Sequence, residues 1–291
     1  MDEMREKYTM SELCEALEVS SSGYYKWRRS EPGPRERENQ CLLEEMREIH
    51  AHRHTRAYGS PRMTLELQER GLGCSENRVA ALMAREGLYA RGRRAFRPKT
   101  TQSDRHAVPA PNRLAEAPPA QAPGEALVSD ITYVATREGW LYLAVVIDLF
   151  SRAVLGWKIG ESLETGLVLG ALEGALRVCD PPSEALFHSD RGCQYTSGIF
   201  RSRLADYGLI QSMSAKGYCY DNAFAESFFA TLKTESFPED GIFDSKLEAR
   251  RAIFDYLETF YNRRRKHSSL GYLTPEAVIK NHFQTKKQNL N

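Results

Sequence analysis

Helical spacing of apolar residues dominates the start of the chain. Thr9 and Glu12 are spaced as a capping box, and the apolar positions from Met10 to Leu17 recur every three or four residues. A Ser-rich turn and a second short helix, GYYKWRR, follow, and the basic side chains of Lys26 and Arg28 lie in this helix. The pattern predicts a helix-turn-helix that contacts DNA. Helical hairpins of this length also occur in proteins that never touch DNA, so both interpretations stay open for this segment alone.

A second helical pair has clearer boundaries. Residues 60–71 and 75–87 each begin at a serine and end at a glycine, as helices with N-caps and C-terminal glycines do. In the second of these helices Asn77 and Arg78 lie away from the apolar side and are candidates for contact with a partner. Three more candidate DNA contacts follow in the run RGRRAFRPK, namely Arg91, Arg93 and Arg94. Two tandem helical pairs, both followed by arginines, favour DNA binding.

The pattern changes after this region. Residues 98–124 contain six prolines and no apolar period, which predicts a linker. We therefore divide the chain into the ranges 1–45 and 46–97 for the two helix-turn-helix modules, 98–124 for the linker, 125–280 for a larger domain, and 281–291 for a polar tail.

The larger domain opens with β-branched and aromatic runs, LVSDITYVAT, LYLAVVIDLF and AVLGWKIG, separated by short turns. They predict an antiparallel meander. A helix at 165–177, a strand in ALFHSD, a helix near 197–207 and a strand in LIQSMS follow. This order is typical of an α/β ribonuclease H-like fold, a mixed five-stranded sheet with flanking helices.

Charge is distributed unevenly, although the net charge is +1. Basic residues outnumber acidic ones by about two to one over 47–105, acids dominate over 125–190, and the balance is basic again after 246. Basic segments on both sides of an acidic segment are typical of a protein whose basic residues bind phosphates and whose acidic residues bind cations. The alternative is that the charge runs are only solvated faces.

Several classes of protein are disfavoured. The chain has no long apolar run, and its N-terminus lacks the basic start and apolar core of a signal peptide, so we expect a cytoplasmic protein. The six cysteines form no CxxC pair, which argues against a zinc ribbon or a disulfide framework. The cluster His50, His52 and His54 predicts either a zinc site or a solvated basic turn.

Three acids are candidates for a metal site. Asp130 lies in the first predicted strand, Asp190 ends the fourth in HSDRGCQYTS, and Glu226 lies in the helix DNAFAESFFATLKTE, on one face with Asn222 and Lys233. Three such carboxylates repel one another unless cations neutralise them, and hard oxygen ligands favour Mg²⁺ or Mn²⁺. Taken singly, Asp190 could instead form an Asx turn and Glu226 could be a solvated helix residue.

Two further acids are weaker candidates. Asp148 ends the second strand beside a turn, and Glu235 turns away from Glu226 on the predicted helix. The phenylalanines of this helix are expected to pack it onto the sheet.

Several long motifs resemble one family. They are SDITYV, LYLAVVIDLFSR, HSDRGCQYTS, QSMSAKGYCYDNAFAESFFATLKTE and YNRRRKHSSLGYLTPEAV, with 35 residues between Asp190 and Glu226. Together they resemble the OrfB-type transposases of the IS-three insertion-sequence family, which have a DDE catalytic core of the retroviral integrase superfamily. The resemblance spans nearly the whole chain.

The resemblance implies a function. Asp130, Asp190 and Glu226 would be the DDE triad with two Mg²⁺ ions, for which Mn²⁺ could substitute. Water would cut an element end to free a 3′-hydroxyl that attacks another phosphodiester, and joined ends would form a circular intermediate. Lys233 would contact terminal DNA and Asn222 would orient Glu226. A C-terminal basic helix would hold DNA beside the site through Arg263, Arg264, Arg265, Lys266 and His267.

The resemblance also implies partners. They are the double-stranded element ends and target DNA, a second copy of the chain on DNA, and a small upstream-frame protein that is often fused to such chains by frameshifting. Two positions depart from the family pattern: Leu127 stands where tryptophan is usual and Cys193 where serine is common.

Two other function classes remain as alternatives. A tyrosine recombinase would use Tyr261 as its nucleophile, with Arg263, Arg264 and His267 activating the phosphate. A DNA-binding repressor would use residues 9–97 alone.

Overall fold

The computed structural model describes residues 4, 7–29, 31–92, 109–214 and 223–288. In chain order, the N-terminal helices are α1 (Met10–Ala16), α2 (Ser21–Arg29), α3 (Pro34–Ala51), α4 (Ser60–Glu69) and α5 (Glu76–Glu86). The sheet region contains β1 (Ala126–Thr136), β2 (Gly139–Asp148), β3 (Val154–Gly160), α6 (Thr165–Val178), β4 (Leu186–Ser189), α7 (Cys193–Thr196), α8 (Gly198–Asp206) and β5 (Ile210–Met213). The remaining elements are α9 (Ala223–Ser236), β6 (Ile242–Phe243), α10 (Lys246–Asp255), a π-helical segment (Tyr256–Tyr261) and α11 (Pro275–Gln288).

The predicted helix boundaries of the N-terminal region are confirmed. Thr9 and Glu12 form a reciprocal capping box at α1, and the Ser75 side chain caps α5, which ends at Gly87 in the left-handed conformation. The 18-residue helix α3 was not anticipated. It runs without a break across the boundary placed between residues 45 and 46, so the division into modules at that point does not match the structure. Its apolar stripe packs against α4 and α5 in one core.

The three-strand meander is confirmed, and the mixed sheet follows the order β3-β2-β1-β4-β5. In the described part of the chain the sheet has a sixth strand, the two-residue β6, which the sequence did not suggest. It pairs in parallel with the end of β1, whereas β4 pairs in parallel with the beginning of β1. One edge of β1 is therefore paired with β4 at the start of the strand and with β6 at its end.

Each face of the sheet has its own core. On one face, apolar residues of β1 such as Val128 and Val134 pack with Phe228 and Leu232 of α9. On the other, Leu127 packs with residues of α6 and α8. Because side chains alternate along a strand, Asp130 lies on the face that α9 covers.

The predicted linker is only partly a spacer. Its first half lies outside the described residues. From residue 109 onward the chain has no regular structure but packs along β5, because Met213 N donates to the Pro111 carbonyl (3.3 Å) and Leu114 N donates to Ser212 Oγ (3.0 Å). Among the helices that the structure describes, none is long and apolar enough to cross a membrane.

A buried ion pair joins the end of α9 to the chain after the π-helical segment. Arg265 Nε donates to both oxygens of Glu235, at 2.8 and 3.1 Å, and Arg265 Nη2 donates to Oε1 at 2.9 Å. Tyr256 Oη donates to the same carboxylate at 2.7 Å, and Arg62 of α4 lies 3.6 Å from it. Both charged side chains of the pair are over nine-tenths buried.

Cationic side chains of the N-terminal region also hold the C-terminal end of α9. Arg53 Nη2 donates to the Ser236 carbonyl (2.9 Å), and Arg91 donates to the carbonyls of Phe237 (2.7 Å) and Pro238 (2.8 Å). The last carbonyls of a helix have no partners within it and carry negative partial charge, so donors with positive charge stabilise this end. The helical region is thereby docked on the helix that carries Glu226.

We predict that Glu235→Ala lowers the free energy of unfolding by about 3–5 kcal/mol, because it leaves Arg265 buried without its partner. Chemical denaturation of the full chain measures the loss, and Glu239→Ala, at an exposed position three residues beyond α9, is the matched control with little effect. The paired replacement of Glu235 by Leu and Arg265 by Met should cost less than Glu235→Ala. Equal losses for Glu235→Ala and Glu239→Ala would contradict the role given to the buried pair.

Candidate active site

The pairing of β1 with β4 brings two of the three candidate acids together. The parallel register aligns Val128 with His188, so that Asp130 and Asp190 each follow two residues later on neighbouring chain segments. Adjacent strands lie about 4.8 Å apart, which places the two carboxylates at one spot on the sheet. Both side chains are partly exposed.

Asp190 begins a tight turn. Its Oδ1 accepts a hydrogen bond from Gly192 N at 2.9 Å, which is the Asx turn considered from the sequence. Asp130 Oδ1 accepts from the neighbouring Ile131 N at 2.8 Å. A carboxylate has two oxygens and about four lone-pair sites, so these local hydrogen bonds are compatible with metal ligation.

Tyr195 links the chain segments that carry these aspartates. Its hydroxyl lies 2.9 Å from Ser129 Oγ, and both residues are almost completely buried. Burial raises the pKa of Tyr195 well above its ordinary value, and the nearby charges of Asp130 and Asp190 raise it further. The hydrogen bond therefore ties α7, in the turn after Asp190, to the residue before Asp130. Tyr195 lies in the motif HSDRGCQYTS, but the sequence does not mark it as a site residue, because only the fold shows its burial.

Helix α9 places Glu226 in its first turn and Lys233 two turns later. Burial lowers the pKa of Lys233 and the charge of Asp130 raises it, so the ammonium lies within the field of that aspartate. Glu226 is exposed. No group of three histidines, cysteines or acids that could hold a metal is found among the residues that the structure describes. The structure thus brings Asp130 and Asp190 together and leaves Glu226 on the adjacent helix. Asn222 lies outside the described residues.

The phenylalanines of α9 divide into two groups. Phe228 and Phe229 are buried and pack the helix onto the sheet, as expected. Phe224 was expected on the packing face but is 42% exposed, and the guanidinium of Arg152 lies over its ring at 3.8 Å from the centroid.

The two weaker acidic candidates have structural roles. Asp148 is fully buried, and its oxygens accept from Gly124 N (3.0 Å), Ser151 N (2.9 Å) and the Ser151 hydroxyl. It therefore fixes the turn between β2 and β3. Glu235 points away from Glu226, as predicted, into its ion pair with Arg265.

The basic segment differs from the prediction in two ways. Residues 262–267 follow the π-helical segment as turn and extended chain, so they do not form the expected helix. The segment also divides by burial: Arg263 and Arg264 are exposed, whereas Arg265, Lys266 and His267 are buried.

These three buried side chains are used inside the protein and are not available as DNA contacts. Arg265 is paired with Glu235. Lys266 Nζ lies 2.6 Å from Glu69 and 3.5 Å from Glu66, both on α4. Burial and the charge of Arg265 lower the pKa of His267 to about 3, so its imidazole is neutral near pH 7.

The candidate contacts in the N-terminal region also divide. Lys26, Arg28 and Asn77 are exposed. Arg78 instead donates to Asn39 Oδ1 at 2.9 Å and to Glu38 Oε2 at 3.1 Å, and so braces α5 against α3. Arg91 is bound to the end of α9, as described above. Arg93 and Arg94 lie outside the described residues.

The histidine cluster divides by burial: His52 is exposed, as in a solvated turn, whereas His54 is buried. His54 is 2% exposed, and its Nε2 lies 2.8 Å from Asp255 Oδ2, so it belongs to the contact between the helical region and α10. Its ring also stacks on Phe260.

Comparison with known protein families agrees with this architecture. A model of the integrase core domain matches residues 120–219, a second integrase core model matches 207–275, and a model of an HTH-like domain matches 36–96.

Curated relatives cover almost the whole chain. An insertion element IS600 31 kDa protein of Shigella sonnei is 40% identical over 94% of this chain and 99% of its own length. The transposase InsF of insertion sequence IS3A from Escherichia coli is 40% identical over 93% of both chains. Among solved structures, a chain of the simian T-cell lymphotropic virus intasome matches with a TM-score of 0.46 and 14% identity, over 82% of this chain and 74% of that one. The identity and coverage of the curated relatives show that this chain belongs to the IS-three (IS3) family of insertion-sequence transposases, polynucleotidyl transferases with an integrase core.

Proposed function

We propose that this transposase binds the terminal inverted repeats of its element and performs Mg²⁺-dependent 3′-end cleavage and strand transfer at Asp130, Asp190 and Glu226. The observation that carries the proposal is the parallel register of β1 and β4, which sets Asp130 beside Asp190. Glu226 completes the donor set from the first turn of α9, the helix that covers this face of the sheet.

The donor set fits a hard divalent cation. Asp130 and Asp190 supply carboxylate oxygens side by side, and oxygen donors of this kind suit Mg²⁺ and Mn²⁺. Two bound ions would activate the attacking oxygen and stabilise the leaving oxygen of the phosphodiester. We propose the same site for cleavage by water and for the later attack by the freed 3′-hydroxyl.

The chain's own residues position the DNA. Lys233 lies near Asp130 and can neutralise a phosphate of the strand being cut. Arg263 and Arg264 are exposed after the π-helical segment and can hold the adjacent backbone. Asn222, immediately before α9, is proposed to orient Glu226. Lys26, Arg28 and Asn77 are the proposed contacts of the helical region with the element ends.

A covalent tyrosine mechanism has no support in the structure. Tyr261 is 4% exposed, and burial raises the pKa of its hydroxyl above the ordinary value. Its proposed activator His267 is buried and neutral. These features suit packing and do not suit a nucleophile that must meet a phosphodiester.

The assembly follows from the reaction. Two element ends must be held together for joining, so we propose at least a dimer on DNA. The reaction would take place on bacterial DNA in the cytoplasm, through an end-joined circle, with an upstream-frame partner or fusion assisting end recognition.

We predict that Asp190→Asn and Glu226→Gln abolish end joining in cells that carry a marked element with its own ends. Loss of several kcal/mol of transition-state stabilisation corresponds to about a thousandfold or more in rate. Amplification across abutted ends measures the product. Asp180→Asn, at an exposed acid before β4, is the matched control and should give wild-type junctions.

The same variants separate chemistry from binding. Asp190→Asn should still bind end DNA, because it removes a metal ligand and no phosphate contact. Junctions from Glu226→Gln at the wild-type level would refute the proposed triad, and loss of binding together with cleavage in Asp190→Asn would make Asp190 a structural residue.

We predict that Tyr195→Phe raises the Mg²⁺ concentration needed for half-maximal cleavage by about tenfold, because the hydroxyl holds together the segments that carry Asp130 and Asp190, and loss of groups that position metal ligands typically weakens metal affinity by this much or more. The ring packing on Phe200 is retained, but the hydroxyl that ties Ser129 to α7 is lost. A metal titration of cleavage at saturating DNA measures the shift. The KM for DNA should stay unchanged.

Tyr207→Phe is the matched control, since Tyr207 is 44% exposed at the end of α8. Adding Ser129→Ala to Tyr195→Phe should recover stability, because it removes the hydroxyl left without a partner. A loss of stability in Tyr195→Phe without any change in metal dependence would reduce Tyr195 to a packing residue.

A further inference from the structure

Arg152 combines three unusual features in the turn between β2 and β3. Its backbone φ is +64°, a conformation that residues other than glycine rarely adopt. Its Nη1 atom is buried and has no hydrogen-bond partner among the residues that the structure describes. Its guanidinium carbon lies over the ring of Phe224, 3.8 Å from the centroid, and Phe224 is itself 42% exposed. Strained backbone and an uncompensated polar group at one residue are typical of functional positions.

The turn that carries Arg152 is rigidly built. Asp148 accepts hydrogen bonds from Ser151, and Arg152 N donates to the Asp148 carbonyl at 2.9 Å. Two residues later, Val154 N donates to the side-chain oxygen of Asn262 (3.0 Å), and the Asn262 amide donates to the Val154 carbonyl (2.8 Å). The strain at Arg152 is thus maintained by its surroundings.

Among the residues that the structure describes, no acid forms an ion pair with the Arg152 guanidinium. Burial lowers the pKa of its guanidinium, which is the expected effect where desolvation exceeds the attraction of neighbouring anions. Asp148 and Tyr261 are the groups that act in the other direction. The Asp148 carboxylate is already engaged with Gly124 and Ser151, and the raised pKa of Tyr261 keeps it uncharged. An external anion would therefore be favoured at Arg152.

The position of Arg152 indicates which kind of anion binds it. Phe224 precedes Glu226 by two residues in the first turn of α9. The Asn262 side chain binds both backbone groups of Val154, which anchors the chain after the π-helical segment to the same turn. Arg152 therefore presents its charge at the end of α9 that bears Glu226.

We propose that Arg152 binds a backbone phosphate of the DNA strand that passes Glu226. The inference rests on the proposed function, because it assigns the anion to DNA held at that site. Phe224 contacts the guanidinium through the cation–π interaction, and the hydrogen-bonded turn fixes the distance of Arg152 from α9. Arg152 would make one sequence-independent contact with the DNA backbone.

The test uses the full chain carrying Asp190→Asn, so that DNA is bound but not cut. Fluorescence anisotropy with a labelled duplex of random sequence gives Kd over a range of KCl concentrations. Losing one phosphate contact should reduce the slope of log Kd against log salt by about 0.9. We expect this change, and weaker binding at low salt, for Arg152→Gln, whereas Arg152→Lys should retain most of the slope because it keeps the charge.

Arg137→Gln is the matched control. Arg137 lies in the turn between β1 and β2, at the other end of β1, is exposed and pairs with Asp244. Its replacement should leave the salt slope unchanged. Thermal unfolding supplies the second readout: Arg152→Gln should not lower the melting temperature, because it removes a desolvated charge that has no anion.

The possible failures are distinct. If Arg152→Gln leaves the salt slope unchanged and lowers the melting temperature, Arg152 only stabilises the fold by packing on Phe224, and the inference is wrong. An Arg152→Lys variant as weak as Arg152→Gln would also count against a phosphate contact. If the parent chain showed no salt-dependent binding, the proposed function would fail, and this inference with it.

Discussion

The short parallel pairing of β1 with β4 is the constraint on which the site depends. Only three residue pairs, Ala126 to Val128 on the β1 side, are aligned before β4 ends. β1 continues for eight more residues and meets β6 only at its far end. The edge of β1 between these two neighbours is where Asp130 lies, with Asp190 beside it. A shift of one residue in this register would turn Asp130 to the opposite face and separate the two carboxylates.

Burial determines which basic side chains are exposed and so able to contact DNA. The run from Arg263 to Lys266 looks uniform in the sequence, yet Arg265 and Lys266 neutralise acids at the junction with the helical region, whereas Arg263 and Arg264 face solvent. Arg78 and Arg91 are likewise used to brace helices. A buried charged side chain needs a partner of opposite charge. Glu235 provides this partner for Arg265, and Glu66 and Glu69 provide it for Lys266, so these acids determine which basic residues are buried. The same contacts dock the helical region on α9, so that the helical region and the helix that carries Glu226 form one connected body.

Local signals in the sequence were sufficient for much of the architecture. The capping box at Thr9, the Ser75 cap and the meander of β1 to β3 depend on neighbours within a few residues, and all were predicted correctly. Helix α3 was missed because its apolar stripe is confined to the second half of a helix that begins with a highly charged sequence, and β6 because two residues carry no period. The convergence of Asp130 and Asp190 could be predicted from the rule for parallel strands. The hydrogen bond of Tyr195 to Ser129 and the strained turn at Arg152 could not, since each depends on contacts between segments distant in the sequence.

We propose that Asp130, Asp190 and Glu226 act together as metal ligands when DNA is bound. The most direct measurement is anomalous diffraction from Mn²⁺ in crystals of the chain bound to element-end DNA. We expect manganese held by both aspartates, with Glu226 drawn to the same site, and no manganese there in the Asp130→Asn variant. Manganese bound elsewhere, or a Glu226 side chain that remains apart from the occupied aspartates, would contradict this proposal.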